Sequence, residues 1–410
     1  MELINKSRLL KGDKIIWAVF FIICSISLVE VFSATSQQAE TSNYWKPIIK
    51  HTIFLLTGTV LVWIIHNMKV TWIRSLTYIF YWAGVIGLIW AQFSSEINNS
   101  ARWISIFGMT FQPMEIAKVG LVMVTAQIIS KHQNEEGTDD KALIEIVKYA
   151  ALPILIILKE NLSTALISSV TIFMMMFIGR LPKKQLLMIF GGTIAAGIIS
   201  VSLILSVPES LAKDGDVWMK IVTWKHRISS AFESKPIDPK TYVIDDYNRQ
   251  SSYAKIAIAS SDIIGCGPGN SEYRAYIPHA YSDFIFAVII EELGLAGGIM
   301  VILLYMTILY RCGKIASKCE DPYPAYLVMG VGIIITMQAL LHMYISVGDF
   351  VTGQPLPIMS QGGTSILINC IYIGVILSIS RYTIKASAVA QQQKQSTDTT
   401  EIVDRYNRNS

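Results

Sequence analysis

The sequence predicts an all-α polytopic membrane protein of about ten transmembrane helices, with a large extracytoplasmic loop between the seventh and the eighth. Three observations predict it. Hydrophobic residues fill 52% of the 410 positions and charged residues only 16%, which is too apolar for a water-soluble domain of this size. The apolar residues fall in runs near the roughly 20 residues that a bilayer-crossing helix needs. Finally, the cations of the short connections fall on alternate sides, as the positive-inside rule requires.

Taken in order, the apolar runs place helices at roughly 14–35, 46–66, 72–93, 111–130, 147–159, 162–179, 186–207, 283–310, 323–347 and 358–380. The basic start KSRLLKGDK leads into a run long enough to span and without a small-residue cleavage site, so no cleavable signal peptide is expected. The fifth and sixth runs meet at LKENLSTA, where Lys159, Glu160 and Asn161 interrupt them. Two half-depth helices lining a cavity, or a plain tight turn, both fit that break.

With the N-terminus inside, the cytoplasmic side receives Lys6, Arg8, Lys11 and Lys14, then Lys69 and Arg74, then Lys131 and Lys141. Arg180, Lys183, Lys184, Arg311, Lys314, Lys318, Arg381 and Lys385 continue the pattern, while the outer loops SATSQQAETSNY and SVGDFVTGQPLP carry no Lys or Arg. Both termini are therefore expected in the cytoplasm. Residues 1–385 read as one transmembrane domain, with 208–282 as its large outer loop. The polar segment 386–410 reads as a disordered tail. In the large loop, DVWMKIVTWKHRISSAF puts Val217, Ile221, Trp224 and Ile228 on one helical face, as an interfacial helix or a packed cap helix would. Five scattered cysteines have no metal or disulfide spacing, and no feature calls for nucleic acid.

Three clusters carry candidate chemistry. In YIPHAYSDFIFAVIIEELGLAGG, Asp283 stands at the outer boundary beside Phe284 and Phe286, whose apolar bulk raises a carboxyl pKa toward that of a general base. A helix N-cap is the plainer role for it. Glu291 and Glu292 lie deeper and are expected to be structural. In NNSARWISIFGMTFQPMEIAKVG, Arg102 and Trp103 precede a helix opened by Pro113, and Glu115 and Lys118 share a face. An arginine there suits a lipid pyrophosphate, and an interfacial anchor with an intrahelical ion pair suits it equally. The third cluster, VTGQPLPIMSQGGTS, gives a shaped loop and a Gly-rich helix entry that offers N–H groups to an anion or makes a tight turn.

These clusters, in this order, resemble the SEDS family (shape, elongation, division, sporulation) of peptidoglycan polymerases, over roughly 14–385. ARWI…FQPMEIAK is similar to the family's ARRWI…FQPSELAK, and ENLSTA to PDLGTA. IASSDIIGCGPGNS is similar to ALGSGGLFGVGLGNS, HAYSDFIFAVIIEELGLAG to HTDFIFAIIGEELGLIG, and TGQPLPIMSQGGTS to TGIPLPFISYGGSS. The resemblance implies inverting glycosyl transfer on lipid II, the undecaprenyl-pyrophosphoryl disaccharide-pentapeptide, with Asp283 as base. It implies that Arg102 and Lys118 serve the pyrophosphate, with Lys225 and Arg227 as weaker candidates from the loop, and that Trp103, Glu115 and Gln250 shape the cleft; Ser360, Gly362 and Gly363 of the Gly-rich entry are further substrate-binding candidates. A divalent cation, Mg or Mn, would suit a pyrophosphate, although no compact carboxylate cage marks a site for one. The implied partner is a class B penicillin-binding protein transpeptidase in the cytoplasmic membrane.

The tail and the VTGQPLP form incline the resemblance to the FtsW branch over the elongation-type RodA branch. The chain departs from the family at Lys159, Glu160, Asn161 and Ser163, at Ser346, Gly348 and Asp349, and at Gln361 in place of a tyrosine. A lipid II transporter and a septal scaffold are the alternative functions.

Overall fold

The computed structural model describes residues 10–36, 45–93, 104–106, 109–208, 222, 225, 229, 244, 248–348 and 353–409. Helix α1 (Lys14–Ser36) is opened by Asp13, whose Oδ1 accepts the Ile15 and Ile16 amides at 2.9 and 3.2 Å, while Oδ2 takes Arg311 from a later helix. Then follow α2 (Trp45–Asn67), the short α3 (Val70–Ser75) and α4 (Thr77–Phe93). A two-stranded hairpin, β1 (Ile104–Ile106) with β2 (Met109–Phe111), leads into α5 (Pro113–Lys131), and Pro113 takes the first-turn position, where no amide is needed. The pair β3 (Gln133–Asn134) and β4 (Gly137–Thr138) turns the chain into α6 (Lys141–Glu160), α7 (Leu162–Ile178) and α8 (Lys183–Ser206). Helix α9 (Arg249–Ala259) and the single turn α10 (Ala280–Asp283) precede the long α11 (Ile285–Ala316). Helices α12 (Pro322–Val347) and α13 (Gly363–Asn409) complete the bundle.

Eight helical stretches among the described residues are long and apolar enough to cross a membrane, and the apolar α7 is shorter. The molecule is a polytopic helical membrane protein. Its centre is occupied by α5 and α13, each 83% buried over its most apolar window, whereas that of α8 is 0% buried. The reason is chemical. α5 carries Glu115, Lys118 and Thr125, which are tolerable only against other protein, while α8 is apolar all round and can face hydrocarbon.

Two expectations are corrected. The fifth helix is not a half-depth element: it begins at Lys141, and its 20 residues cover about 30 Å. Ala142, Leu143 and Ile146 bury one face of its first turns, and that stripe extends the helix past the charged residues that hid it. The break at Asn161 is then a capped junction, with Asn161 Oδ1 accepting the Thr164 amide at 3.1 Å. The segment 386–410, expected to be disordered, continues α13 as helix to Asn409. It contains no Gly or Pro, and its Ala, Gln, Lys and Glu residues are good helix formers. The interfacial-helix segment lies outside the described residues except at Val222, Lys225 and Ser229.

The bundle has two unlike ends. At one, Arg381 donates to the Asn67 and Met68 carbonyls at 2.9 and 2.7 Å, and Arg311 reaches Asp13. Asp283, the start of α2 and the start of α13 are at the other.

Candidate active site

Asp283 does not cap the helix that follows it. It closes the turn α10, its amide bonded to the His279 carbonyl at 3.0 Å, and Phe284 occupies the cap position of α11. The carboxylate is half-buried, and Ser282 Oγ donates to its Oδ1 at 3.0 Å. What holds the turn is a loop from the other end of the sequence. Ser360 Oγ donates to the Ser282 carbonyl at 2.6 Å and accepts the Leu356 amide at 2.7 Å, and the Gln361 amide reaches the Tyr281 carbonyl at 3.0 Å. A Cβ on Gly353 would lie 3.8 Å from Asp283 Oδ2, so this loop passes beside the carboxylate.

The same loop gathers two further motifs. Gln354 Oε1 accepts from Thr164 Oγ1 at 3.1 Å, and its carbonyl meets His342 Nδ1 at 2.7 Å. The Pro355 carbonyl accepts from Gln338 Nε2 at 3.3 Å, and Gln338 Oε1 takes Lys118 Nζ at 3.1 Å. Lys118 pairs with Glu115 at 2.8 Å, both side chains being at most 2% exposed. An ion pair at this depth holds together only with extra hydrogen bonds, and Gln338 supplies one.

Two cavities flank the Asp283 turn, and Tyr281 lines both. One, of about 390 Å³, is walled by Arg249, Tyr253, Arg274 and Tyr276, with Tyr253 stacked on Tyr276 at 5.1 Å. The other, of about 350 Å³, is walled by Lys46, Lys50 and His51 of α2 and by Gly362 and Gly363 at the start of α13. Asp283 lines neither cavity; it closes the turn that carries Tyr281 between them.

About three turns beyond Asp283, α11 is broken. Gly294 has φ 74° and ψ −177°, a backbone that only glycine adopts readily. The segment Asp262–Arg274 docks into the break. Leu295 and Ala296 donate to the carbonyls of Asp262 and Ile263, and the Glu291 and Glu292 carbonyls accept from Cys266 and Gly267 at 3.0 and 2.8 Å. A Cβ on Gly294 would stand 2.3 Å from the Ile263 carbonyl oxygen. Glu291 accepts the Glu272 and Tyr273 amides at 2.7 and 3.2 Å and the Ser271 hydroxyl at 2.5 Å. Glu292 accepts the Gly269 and Ser271 amides at 3.0 and 3.3 Å, Arg274 at 3.2 Å, and the Ser33 hydroxyl. Both carboxylates face the docked segment, so neighbouring positions point to one partner because that partner wraps them. Their role is structural.

The expected site residues separate accordingly. Gly362 and Gly363 line the second cavity. Gln250 is half-buried on α9, next to Arg249 of the first cavity. Ser360 is buried, and its hydroxyl is engaged in holding the Asp283 turn. Glu115 and Lys118 line neither cavity and connect to the turn through Gln338 and the loop. Lys225 donates to the Val207 carbonyl at 2.9 Å, at the end of α8. Arg102, Trp103 and Arg227 lie outside the described residues. Among the described residues no group of three or more His, Cys, Asp and Glu is arranged to hold a metal ion.

Sequence inspection missed Lys46, Lys50, His51, Arg274, Tyr281 and Gln354. For the first two a signal exists. They stand one turn apart, at a helix end that follows a short outer loop without Lys or Arg.

Residues 13–385 match the family described as Cell cycle protein, that of FtsW, RodA and SpoVE. The chain belongs to this family. A probable peptidoglycan glycosyltransferase FtsW of Coxiella burnetii is 26% identical over 390 residues, covering 90% of this chain and 98% of its own. Among solved structures, a chain from a peptidoglycan synthase complex that coordinates polymerization and crosslinking is similar at TM-score 0.65 and 21% identity, covering 90% of this chain and 98% of that one. The rod shape determining protein RodA of Thermus thermophilus is similar at TM-score 0.60 and 19% identity, covering 90% and 97%. At those identities the likeness shows the FtsW/RodA/SpoVE fold alone.

Proposed function

We propose that this protein is a peptidoglycan glycosyltransferase of the division type, which polymerises lipid II with Asp283 as general base. The relatives named FtsW support the activity and the division branch. The observation that supports the mechanism is the half-buried Asp283 carboxylate on a turn that the loop 353–361 holds through the Ser282 and Tyr281 carbonyls and whose Tyr281 lines two cavities. Glycosyl transfer between two lipid-linked sugars needs two bound substrates and a base between them. Asp283 takes the proton of the acceptor GlcNAc 4-hydroxyl as its oxygen attacks the donor MurNAc anomeric carbon. The bond from that carbon to the lipid pyrophosphate breaks, and the anomeric centre inverts.

On this proposal the Asp283 end of the bundle faces the periplasm, and the end that carries Arg311 and Arg381 faces the cytoplasm together with both termini. The positive-inside pattern supports that orientation. The partner is a class B penicillin-binding protein transpeptidase, a proposal supported by the fold likeness to a chain from a complex that couples polymerization to crosslinking. The Lys159–Asn161 break is a capped junction, and Glu291 and Glu292 are bound to the docked segment, so neither of these intramembrane polar groups calls for the transporter alternative.

The test is lipid II polymerisation by the purified protein with and without that partner, wild type beside Asp283→Asn. Glycan synthesis by a folded Asp283→Asn protein at the wild-type rate would reject the proposal.

A further inference from the structure

The loop 353–361 dips among the spanning helices, and its irregular backbone is tolerable there only because the bundle satisfies it. Leu356, Ile358, Met359 and Ser360 are all buried. From Gln354 to Met359 every carbonyl accepts a hydrogen bond. That of Leu356 takes the Ser360 amide at 3.0 Å, and the others take side chains from three helices. His342 and Gln338 of α12 reach those of Gln354 and Pro355, and Tyr305 of α11 reaches that of Pro357 at 2.5 Å. Ser27 of α1 reaches those of Ile358 and Met359, each at 3.0 Å.

The backbone held in this way is strained. Ile358 has φ 66°, in the left-handed region that a β-branched residue avoids, and Gly353 has φ 62°. Such a conformation persists only where its surroundings over-determine it, and it concentrates where geometry serves function.

One of these donors acts next to the candidate base. Gly353 borders Asp283, since a Cβ there would lie 3.8 Å from Oδ2. The next residue is fixed at both ends: Thr164 donates to the Gln354 side chain at 3.1 Å, and His342 Nδ1 lies 2.7 Å from its carbonyl oxygen. A carbonyl only accepts, so Nδ1 carries the hydrogen. His342 is 0% exposed, and its Nε2 is buried with no hydrogen-bond partner. An apolar side chain would fill that space without the cost of an unpaired nitrogen. The Nδ1 bond is what an imidazole supplies there.

We propose that His342 is a positioning residue for Asp283. Through the Gln354 carbonyl it fixes the strip of loop beside the carboxylate, and so the direction in which Oδ2 meets the acceptor hydroxyl. This assignment rests on the reading of Asp283 as general base. His342 itself touches no reacting atom, and its effect reaches the carboxylate through Gln354 and Gly353.

The experiment measures kcat and KM for lipid II polymerisation by the full chain with its partner, and hydrogen exchange on the same samples. His342→Leu should lower kcat about 10-fold or more, as a small misplacement of a catalytic group does, and leave KM unchanged. His342→Asn, whose Nδ2 stands where Nδ1 stood, should restore most of kcat. Tyr323→Phe is the control: it removes a buried bond at the far end of α12, to Thr77 at 3.1 Å, and should leave kcat as it is. Exchange at the Leu356 and Gln361 amides should quicken in His342→Leu and not in His342→Asn. If His342→Leu does not fold, Thr164→Val, which frees the other end of Gln354, should lower kcat in the same way.

Wild-type kcat in His342→Leu, or in Thr164→Val where His342→Leu does not fold, would overturn the assignment. So would a loss that His342→Asn does not restore or that Tyr323→Phe shares. Failure of Asp283 as base gives a different result: Asp283→Asn polymerises at the wild-type rate, while the exchange response to His342→Leu stays.

Discussion

The Asp283 turn and the Glu291–Glu292 kink are two turns apart on one stretch of chain, and they use their carboxylates in opposite ways. At the kink, both acids are buried and meet amides, hydroxyls and one arginine from the segment 262–274 and from α1. At the turn, the carboxylate is half-buried, and the structural work is done by its neighbours, through the Ser282 and Tyr281 carbonyls. An acid in an apolar sequence is therefore not in itself a signal of catalysis. What separates the two is whether a folded-back segment surrounds the carboxylate or leaves it half-buried on a turn whose Tyr281 lines two cavities.

The contrast should fail first at Glu292. Glu292→Ala leaves the Arg274 guanidinium, 8% exposed, without its carboxylate, and removing one partner of such a pair costs about 3–5 kcal/mol. Thermal unfolding in detergent should show the loss, and an unchanged melting temperature would mean that this pair is not what fixes the docked segment. Asp283→Asn should do the reverse. Lipid II polymerisation falls about 100-fold or more, the lower range for a general base, with the melting temperature held.

Smaller effects separate the two regions more finely. Gly294→Ala forces a side chain into a glycine-only backbone and against the Ile263 carbonyl, at about 1–3 kcal/mol. Hydrogen exchange in 262–274 should quicken while the Asp283 turn stays protected; equal change at both would join the two regions into one unit. Ser360→Ala removes the bond to the Ser282 carbonyl and the acceptor for the Leu356 amide, at about 1 kcal/mol. It should slow polymerisation without affecting the kink, as judged by exchange at Ser271 and Arg274.

Much of the fold was legible in the chain because a bilayer imposes a length and an apolar composition on each helix, and both are local properties. The helices α1, α2, α4, α5, α7, α8, α11 and α12 fall close to the apolar runs for that reason. α6 was misjudged because a half-buried helix carries charges on its other face. The tail was misjudged because polarity alone does not prevent helix formation. Gly362 and Gly363, which line the second cavity, could be named from a motif. Lys46 and Lys50 carried a readable signal, two cations directly after a short outer loop that has none.

The order of residues was enough to say where the membrane helices run, which way the charge pattern points them, and that Asp283 stands at the start of one of them. It took the folded bundle to assign Glu291 and Glu292 to a docked segment, to make Ser360 the holder of a turn, and to give α2 and α13 a shared cationic cavity with Tyr281. Those outcomes join residues as far apart as Ser27 and Met359, or Ser282 and Ser360. A hydrogen bond depends on positions in space, and spacing along the chain does not carry them.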